Sequence, residues 1–289
     1  MSYLADSLRK RLRILGLLAV PLGAAPALAN YATPIGLTGW NADVVYAADF
    51  TNDYAQGFGG PLGGGGWGDP TWYQSSSNMA GGITADASYG FTSNVADPYN
   101  GGASTHFTFQ PFIDKNVLYL AGSGGSISLK TRAAYQNLAV LAASAWATGT
   151  TTGELTLNFA DGTNSSPISY NAFDWGGGNS SPQRAFMQNF YRSANSGGTE
   201  GEELVQDSRN GASFNMYETD IDLTGASGYS NKLIQGITFA EPSAGDIGIF
   251  AVSGVENSDP APAPEPATLA LFALGGLALL ASRRRRKPR

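Results

Sequence analysis

The sequence predicts an all-β protein, a two-sheet antiparallel β-sandwich of jelly-roll type, and three observations carry that prediction. Apolar residues recur at every second position in several short segments, the period of a half-buried strand. Clusters of Gly, Asn, Asp and Ser separate those segments and supply the backbone conformations that turns need. No cysteine occurs among the 289 residues, so disulfides are absent and the body must be held by core burial or by bound ions. A body of about 230 residues is long enough for one sizeable core.

Taken in chain order, residues 55–70 read AQGFGGPLGGGGWGDP, a glycine loop with two aromatics embedded in it. Gly63, Gly65 and Gly68 formally fit a dinucleotide-binding spacing. Asp69-Pro70 follows where a helix would have to open, so nucleotide binding is excluded. Phe107 and Phe109 then alternate with His106 and Thr108, Ile127 and Leu129 with Ser126, Ser128 and Lys130, and Leu155, Leu157 and Phe159 with Glu154, Thr156 and Asn158. Asp161-Gly162, with Ile168 and Tyr170 beyond it, marks a hairpin. Leu233, Ile237 and Phe239 share a parity, as do Ile247, Ile249 and Ala251.

Two stretches conflict with simple alternation. Residues 133–147 are rich in Ala and Leu, which favour helix. Leu138, Val140 and Ala142 nevertheless alternate, and the neighbouring strands need sheet partners, so a strand is expected. Between Phe214 and Leu223 the apolar parity changes from even (Phe214, Met216) to odd (Ile221, Leu223). A bulge or turn near Tyr217–Thr219 is the expected cause.

Both ends differ from the body. Arg9, Lys10, Arg11 and Arg13 precede an apolar run, Ile14 to Ala25, and the small-x-small site Ala27-Leu28-Ala29. That order describes a secretory signal peptide over 1–29, cut by a signal peptidase before Asn30. At the other end Ala267 to Ala281 is almost wholly apolar, and Arg283, Arg284, Arg285, Arg286 and Lys287 follow. A helix of about 15 residues rises roughly 22 Å, short of the roughly 30 Å hydrocarbon layer, which suits a transient inner-membrane anchor with its basic end in the cytoplasm. Ala261 to Pro266, with Pro at every second position, makes a stiff spacer. Residues 30–258 are therefore expected to form the sandwich, and 259–289 the spacer and tail.

Pro264-Glu265-Pro266, the apolar run with its Gly275-Gly276 break and the arginine cluster together resemble the PEP-CTERM sorting tail of exopolysaccharide-producing Gram-negative bacteria. The resemblance implies processing by an exosortase near Pro264, Glu265 and Pro266, with delivery to the cell surface or the extracellular matrix. In the body, NLAVLAASAW, GELTLNFADGT and DIGIFAVSG resemble the strand texture of galactose-binding-like sandwiches.

Charge narrows the partners. Residues 30–259 hold seven Lys+Arg against 21 Asp+Glu, a net of −14, so nucleic acid and anionic lipid headgroups are repelled. His106 is the single histidine and lies opposite the apolar face of its strand, which predicts a solvated side chain and excludes a histidine-rich metal site. No Gly-x-Ser-x-Gly elbow accompanies it. Asp49, Asp53, Asp174, Glu218, Asp220 and Asp222 are conceivable glycosidase acids, but among 21 acids such pairs arise by chance, and no enzyme is expected. Asp220 and Asp222 share one strand face and are the candidates for structural calcium, but no calcium-loop signature is present and a solvated acidic face is the favoured reading; no other cofactor is expected. For ligand binding the best candidates are Trp67 with Asp69, Trp72, and Asp174 with Trp175. Sugar C–H faces stack on aromatic rings while neighbouring carboxylates direct hydrogen bonds; the competing and favoured reading of these tryptophans is that they plug the ends of the sandwich as core residues. The expectation is a non-catalytic surface or exopolysaccharide-matrix protein, with a lectin-like module as the alternative.

Overall fold

The computed structural model describes residues 32–47, 72–75, 82–84, 89–99, 101–145, 150–176, 183–188, 192–195, 204–207, 214–225, 228–243 and 245–258. The expected signal peptide, the whole 55–70 glycine loop and the tail from Asp259 onward lie outside them. No helix among the described residues is long and apolar enough to cross a membrane.

Period-two segments become strands throughout. One sheet runs in the order β1 (Thr33–Pro34), β17 (Asp246–Glu256), β9 (Tyr135–Ala145), β15 (Phe214–Asp222) and β12 (Arg184–Gln188), and β7 (Leu118–Leu120) also pairs with β17. The second runs β11 (Ile168–Phe173), β10 (Thr150–Phe159), β16 (Ile234–Phe239), β8 (Gly125–Ala133) and β2 (Leu37–Thr38). Every pairing within these two sheets is antiparallel. Three smaller pairs complete the described strands: the hairpin β5 (Gly90–Ala96) with β6 (Ser104–Thr108), the parallel pair β3 (Val45–Tyr46) with β4 (Trp72–Tyr73), and β13 (Arg192–Asn195) with β14 (Leu204–Asp207).

The Ala- and Leu-rich stretch is strand β9, the centre of the first sheet. Its helix propensity is overridden because both of its faces are covered. Leu138, Val140 and Ala142 pack with Ile127, Leu157, Ile237 and Phe239 of the second sheet in a core between the two sheets. Ala139, Leu141 and Ala143 point the other way, into a second core with Val44, Trp72, Phe107, Phe109 and Phe250. The hairpin at Asp161-Gly162 forms as expected. Gly162 sits at φ 84, and Asp161 Oδ1 accepts hydrogen bonds from the Thr163 amide at 2.9 Å and hydroxyl at 2.6 Å.

Three register expectations need correction. The parity change in 214–223 is not a bulge: β15 pairs with β9 without interruption from Tyr217↔Ala142 to Asp222↔Asn137. Met216 faces the second core, and Ile221 and Leu223 the first, so the strand is apolar on both sides at different heights. Leu233 precedes β16, and a register shift between Ile234 and Gly236 turns Ile234 inward beside Ile237. Ala251 does not share a face with Ile247 and Ile249, because a shift between Ile249 and Ala251 rotates it into the second core. Opposite β10 and β9 respectively, each shift leaves one extra residue on β16 and β17 and flips the face that follows.

The second core has its own polar staple. Asn116 is buried; its Oδ1 accepts from the Val44 amide at 2.9 Å and the Val45 amide at 3.2 Å. Its Nδ2 donates to Asp43 Oδ1 at 2.6 Å and to the Val45 carbonyl at 3.1 Å. One side chain thereby satisfies the backbone that enters β3, and this fixes the layer covering the first sheet.

Candidate functional site

Of the aromatic candidates, Trp67 and Asp69 lie outside the described residues. Trp72 is in β4 and 0% exposed; Trp175, in the turn after β11, is 6% exposed. Their ring centroids are 5.4 Å apart at 50°, and Phe250 meets Trp72 edge-on at 6.0 Å. The structure thus brings the two tryptophans together, inside the second core. Asp174 bridges to Ser144, and its Oδ1 accepts from the Gly176 amide at 2.9 Å, which shapes the turn that aims Trp175 inward. His106 is exposed, with Nδ1 3.1 Å from Thr92 Oγ1.

The acids form a more unusual arrangement. Glu218 and Asp220 alternate with Tyr217, Thr219 and Ile221 on β15 and so share the outer face of the first sheet, opposite Leu141 and Ala139 of β9. The β5–β6 hairpin lies over that face. Ser93 of β5 donates its hydroxyl to Glu218 Oε2, and Thr105 of β6, fully buried, acts on the same carboxyl. Asp97, just past β5 and 1% exposed, accepts from the Tyr99 amide at 2.7 Å and from Asn137 Nδ2 at 2.9 Å. Glu218 is 1% exposed, and neither its Oε1 nor Asp220 Oδ1 receives an N–H or O–H from the described chain. Two residues apart on one face of β15, the two carboxyls act on each other.

Burial is the main reason both carboxyls hold protons more tightly than usual. It pushes Glu218 up against the opposing hydrogen bond of Ser93. Asp220 is pushed up to about 8, by burial first and then by the charges of Glu218 and Asp97. Asp222 differs: it is exposed, and its Oδ1 accepts from the Thr224 amide at 2.8 Å and hydroxyl at 2.7 Å, bonds that hold its carboxyl below the ordinary range. Asp220 and Asp222 therefore share a strand face but not an environment. No group of three or more His, Cys, Asp or Glu among the described residues is disposed to hold a metal ion. The bulge expected near Tyr217–Thr219 would have separated Glu218 from Asp220; the uninterrupted β15 puts them on one face. Nothing local signalled that a hairpin bearing Ser93, Asp97 and Thr105 would cover them.

The outer face of the second sheet is polar. A groove of about 500 Å³ runs across it, lined by Ser126, Ser128, Arg132, Asn158, Asn164 and Gln235, with Gly236 at the floor. The register shifts beside Asn158 and Gly236 create the depression. A Cβ at Gly236 would meet the Ile127 carbonyl at 3.0 Å, so the floor admits no side chain without movement. Asn158 Nδ2 and Ser126 Oγ each lie 3.0 Å from Thr238 Oγ1, which orders the polar lining beside it.

The tail is decided by comparison with known families: residues 262–286 match the model of the PEP-CTERM protein-sorting motif. The chain carries a PEP-CTERM sorting tail. The match spans Pro264, Glu265 and Pro266, the apolar run and Arg283 to Arg286, and it ends before Lys287. The motif implies export, a surface destination and an exosortase as the processing enzyme. No curated protein matches the chain. Among solved structures, one titled "Structure of infectious bursal disease virus Gt strain" aligns with 75% of this chain at 12% identity and a TM-score of 0.14. The alignment covers 55% of that viral chain, and a likeness this low carries no argument about fold or activity.

Proposed function

We propose that this chain is a non-catalytic structural component of the cell surface or exopolysaccharide matrix, exported by its signal peptide and processed by an exosortase. The observation that carries the reading is the sorting motif at residues 262–286. The route has three steps. A signal peptidase cuts at Ala27–Ala29 and leaves Asn30 first; the 267–281 helix and the basic cluster Arg283–Lys287 hold the chain briefly in the inner membrane; cleavage near Pro264-Glu265-Pro266 then hands over the body. A jelly-roll-like sandwich with a net charge of −14 over residues 30–259 stays soluble and resists self-association, which suits a matrix component. The galactose-binding-like texture of the body belongs to the same proposal.

The test is Pro264→Ala, Glu265→Ala and Pro266→Ala together in the native host. Unprocessed chain should accumulate in the inner membrane, with surface protein reduced about tenfold or more, and mass spectrometry of the wild type should find Asn30 at the N-terminus. Surface delivery and C-terminal mass unchanged from the wild type would reject the processing step.

A second reading, carbohydrate binding, is favoured by the groove over Gly236. Amides and hydroxyls on a flat sheet face match sugar hydroxyls, and exposed Arg132 at the rim offers a planar donor for a sugar carboxylate. Co-sedimentation of the protein with exopolysaccharide from its host should show saturable binding, weakened about tenfold by Arg132→Ala, the scale of one lost charge-assisted hydrogen bond. Salt should weaken it too. Equal sedimentation of wild type and Arg132→Ala would remove the groove from consideration.

A further inference from the structure

We propose that the aromatic cleft along the β5–β6 hairpin binds a short run of neutral sugar rings. The site is separate from the groove over Gly236, and loss of either leaves the other standing.

Stretches far apart in sequence build the cleft. β1 supplies Thr33 and Pro34, Thr84 flanks it, the hairpin supplies residues 90–92 and 106–108, and β12 supplies Phe186. Its volume is about 730 Å³, inside the roughly 300–1,000 Å³ of small-ligand sites. Hydrogen bonds fix the β1 side: the His106 amide donates to the Ala32 carbonyl at 3.1 Å, and Ser253 Oγ donates to the His106 carbonyl at 2.6 Å. The aromatic floor is assembled in advance. Phe91 stacks with Phe107 at 5.6 Å and 26° and with Phe109 at 5.1 Å and 15°, and it meets Phe186 edge-on at 5.7 Å and 69°. Phe107 is fully buried, while Phe91 and Phe186 stay half-buried. Rings locked in this way lose little freedom when a ligand covers them. The backbone entering the cleft is strained as well. Tyr89, just before Gly90, has φ 62, a left-handed conformation that bulky residues rarely adopt. Its ring packs edge-on against Phe112 at 5.1 Å and 90°, and its carbonyl accepts from the Phe109 amide at 2.9 Å. Such strain persists only where neighbours over-determine it, and it concentrates at ligand-binding segments.

The walls select the ligand class. Thr33, Thr84 and Thr92 are exposed and Thr108 is half-buried. Thr92 Oγ1 lies 3.1 Å from His106 Nδ1, which ties those two side chains together at the rim. A threonine hydroxyl both donates and accepts, as a sugar hydroxyl does, while the C–H groups of a sugar ring cover aromatic carbon. A wholly apolar ligand would cover the same rings but strip water from the threonine hydroxyls without replacing its hydrogen bonds. Charge points to a neutral sugar. Among the described lining residues His106 is the one titratable group, and residues 30–259 carry a net of −14. An anionic sugar would meet that field here with no Lys or Arg among the described lining residues to offset it. Arg132 gives the groove over Gly236 the opposite preference, so the two sites differ in the sugars they take.

Saturation-transfer NMR titrations of the full-length chain, held in nanodiscs of zwitterionic lipid, test the site. The probes are maltotriose, cellotriose, mannotriose and neutral oligosaccharides cut from the host's exopolysaccharide. At least one should bind saturably, with a Kd below about 10 mM, and added salt should leave that Kd unchanged. Phe91→Leu keeps apolar bulk under the hairpin but removes the ring, and should weaken binding about tenfold. Thr92→Val, at an exposed position, should weaken it about threefold through one lost hydrogen bond. Arg132→Ala should leave it as in the wild type, which separates the cleft from the groove over Gly236. Where Phe91→Leu also lowers the Tm, Thr92→Val carries the test. Three results would overturn the site: no saturable binding by any probe, wild-type affinity in Thr92→Val with loss in Arg132→Ala, or toluene bound more tightly than every sugar.

Discussion

Trp72→Ala should lower the stability of the fold by about 3–5 kcal/mol, the range for deleting a buried large aromatic. Trp72 has no exposed surface and lies where three parts of the chain meet, in ring contact with Trp175, Phe186 and Phe250 at 5.4, 6.2 and 6.0 Å. Those partners come from the turn after β11, from β12 and from β17, and they cannot close around the void without breaking sheet pairings. The loss should appear as a lower denaturant midpoint at unchanged slope, and as a fall of about 10 °C in Tm for a body of this size. Trp72→Phe should cost much less than its volume suggests, because Trp72 Nε1 is buried without a hydrogen-bond partner and its removal ends a desolvation penalty. A Trp72→Ala midpoint within about 1 kcal/mol of wild type would show that the second core is not a stability element.

Gly153→Val should also destabilise strongly, by about 3 kcal/mol, at the upper end for overpacking. Gly153 pairs with Tyr170 across β10 and β11, and the Tyr170 ring lies over the glycine: a Cβ there would sit 2.3 Å from its Cζ. The ring has nowhere to go. Tyr170 is buried, packs edge-on against Phe239 at 5.6 Å and 86°, and its hydroxyl finds no partner. An aromatic lying across a strand glycine is a recognised way for a sheet to accommodate a residue without a side chain. Gly153→Ala should lose roughly 1–3 kcal/mol by the same contact, whereas Gly162→Ala, at φ 84 in open space, should lose about 1 kcal/mol from backbone strain alone. The ordering Val worse than Ala at 153, measured by thermal melts, separates the ring clash from strain; equal effects would discard it.

Much of the second sheet was legible because one of its faces is wet. Ile127 and Leu129, or Leu155, Leu157 and Phe159, alternate with polar neighbours, and the structure keeps that alternation. The first sheet was harder to read for a physical reason: its outer face is covered by β3, β4 and the β5–β6 hairpin. Residues on both faces of β9, β15 and β17 can then be apolar, and the parity rules that assume one solvated side misplace Ala251 and invent a bulge in β15. The tryptophans illustrate the same limit. A Trp beside Gly and Asp looks like a surface platform, but whether Trp72 and Trp175 face water depends on what other segments lay over them.

By itself the sequence determined the features that are local and contiguous: the sorting tail, the turns, the acidic balance of the body and the period of its strands. Each rests on residues within a few positions of one another, or on a sum over the chain. Tertiary structure alone decided what became of Trp72 and Glu218. Their burial comes from partners such as Ser93, which meets Glu218 across 125 positions of sequence. Burial of that kind depends on which distant segment packs over a strand, and the desolvation that drives tryptophans into a core and raises a carboxyl's proton affinity begins only when that segment is in place.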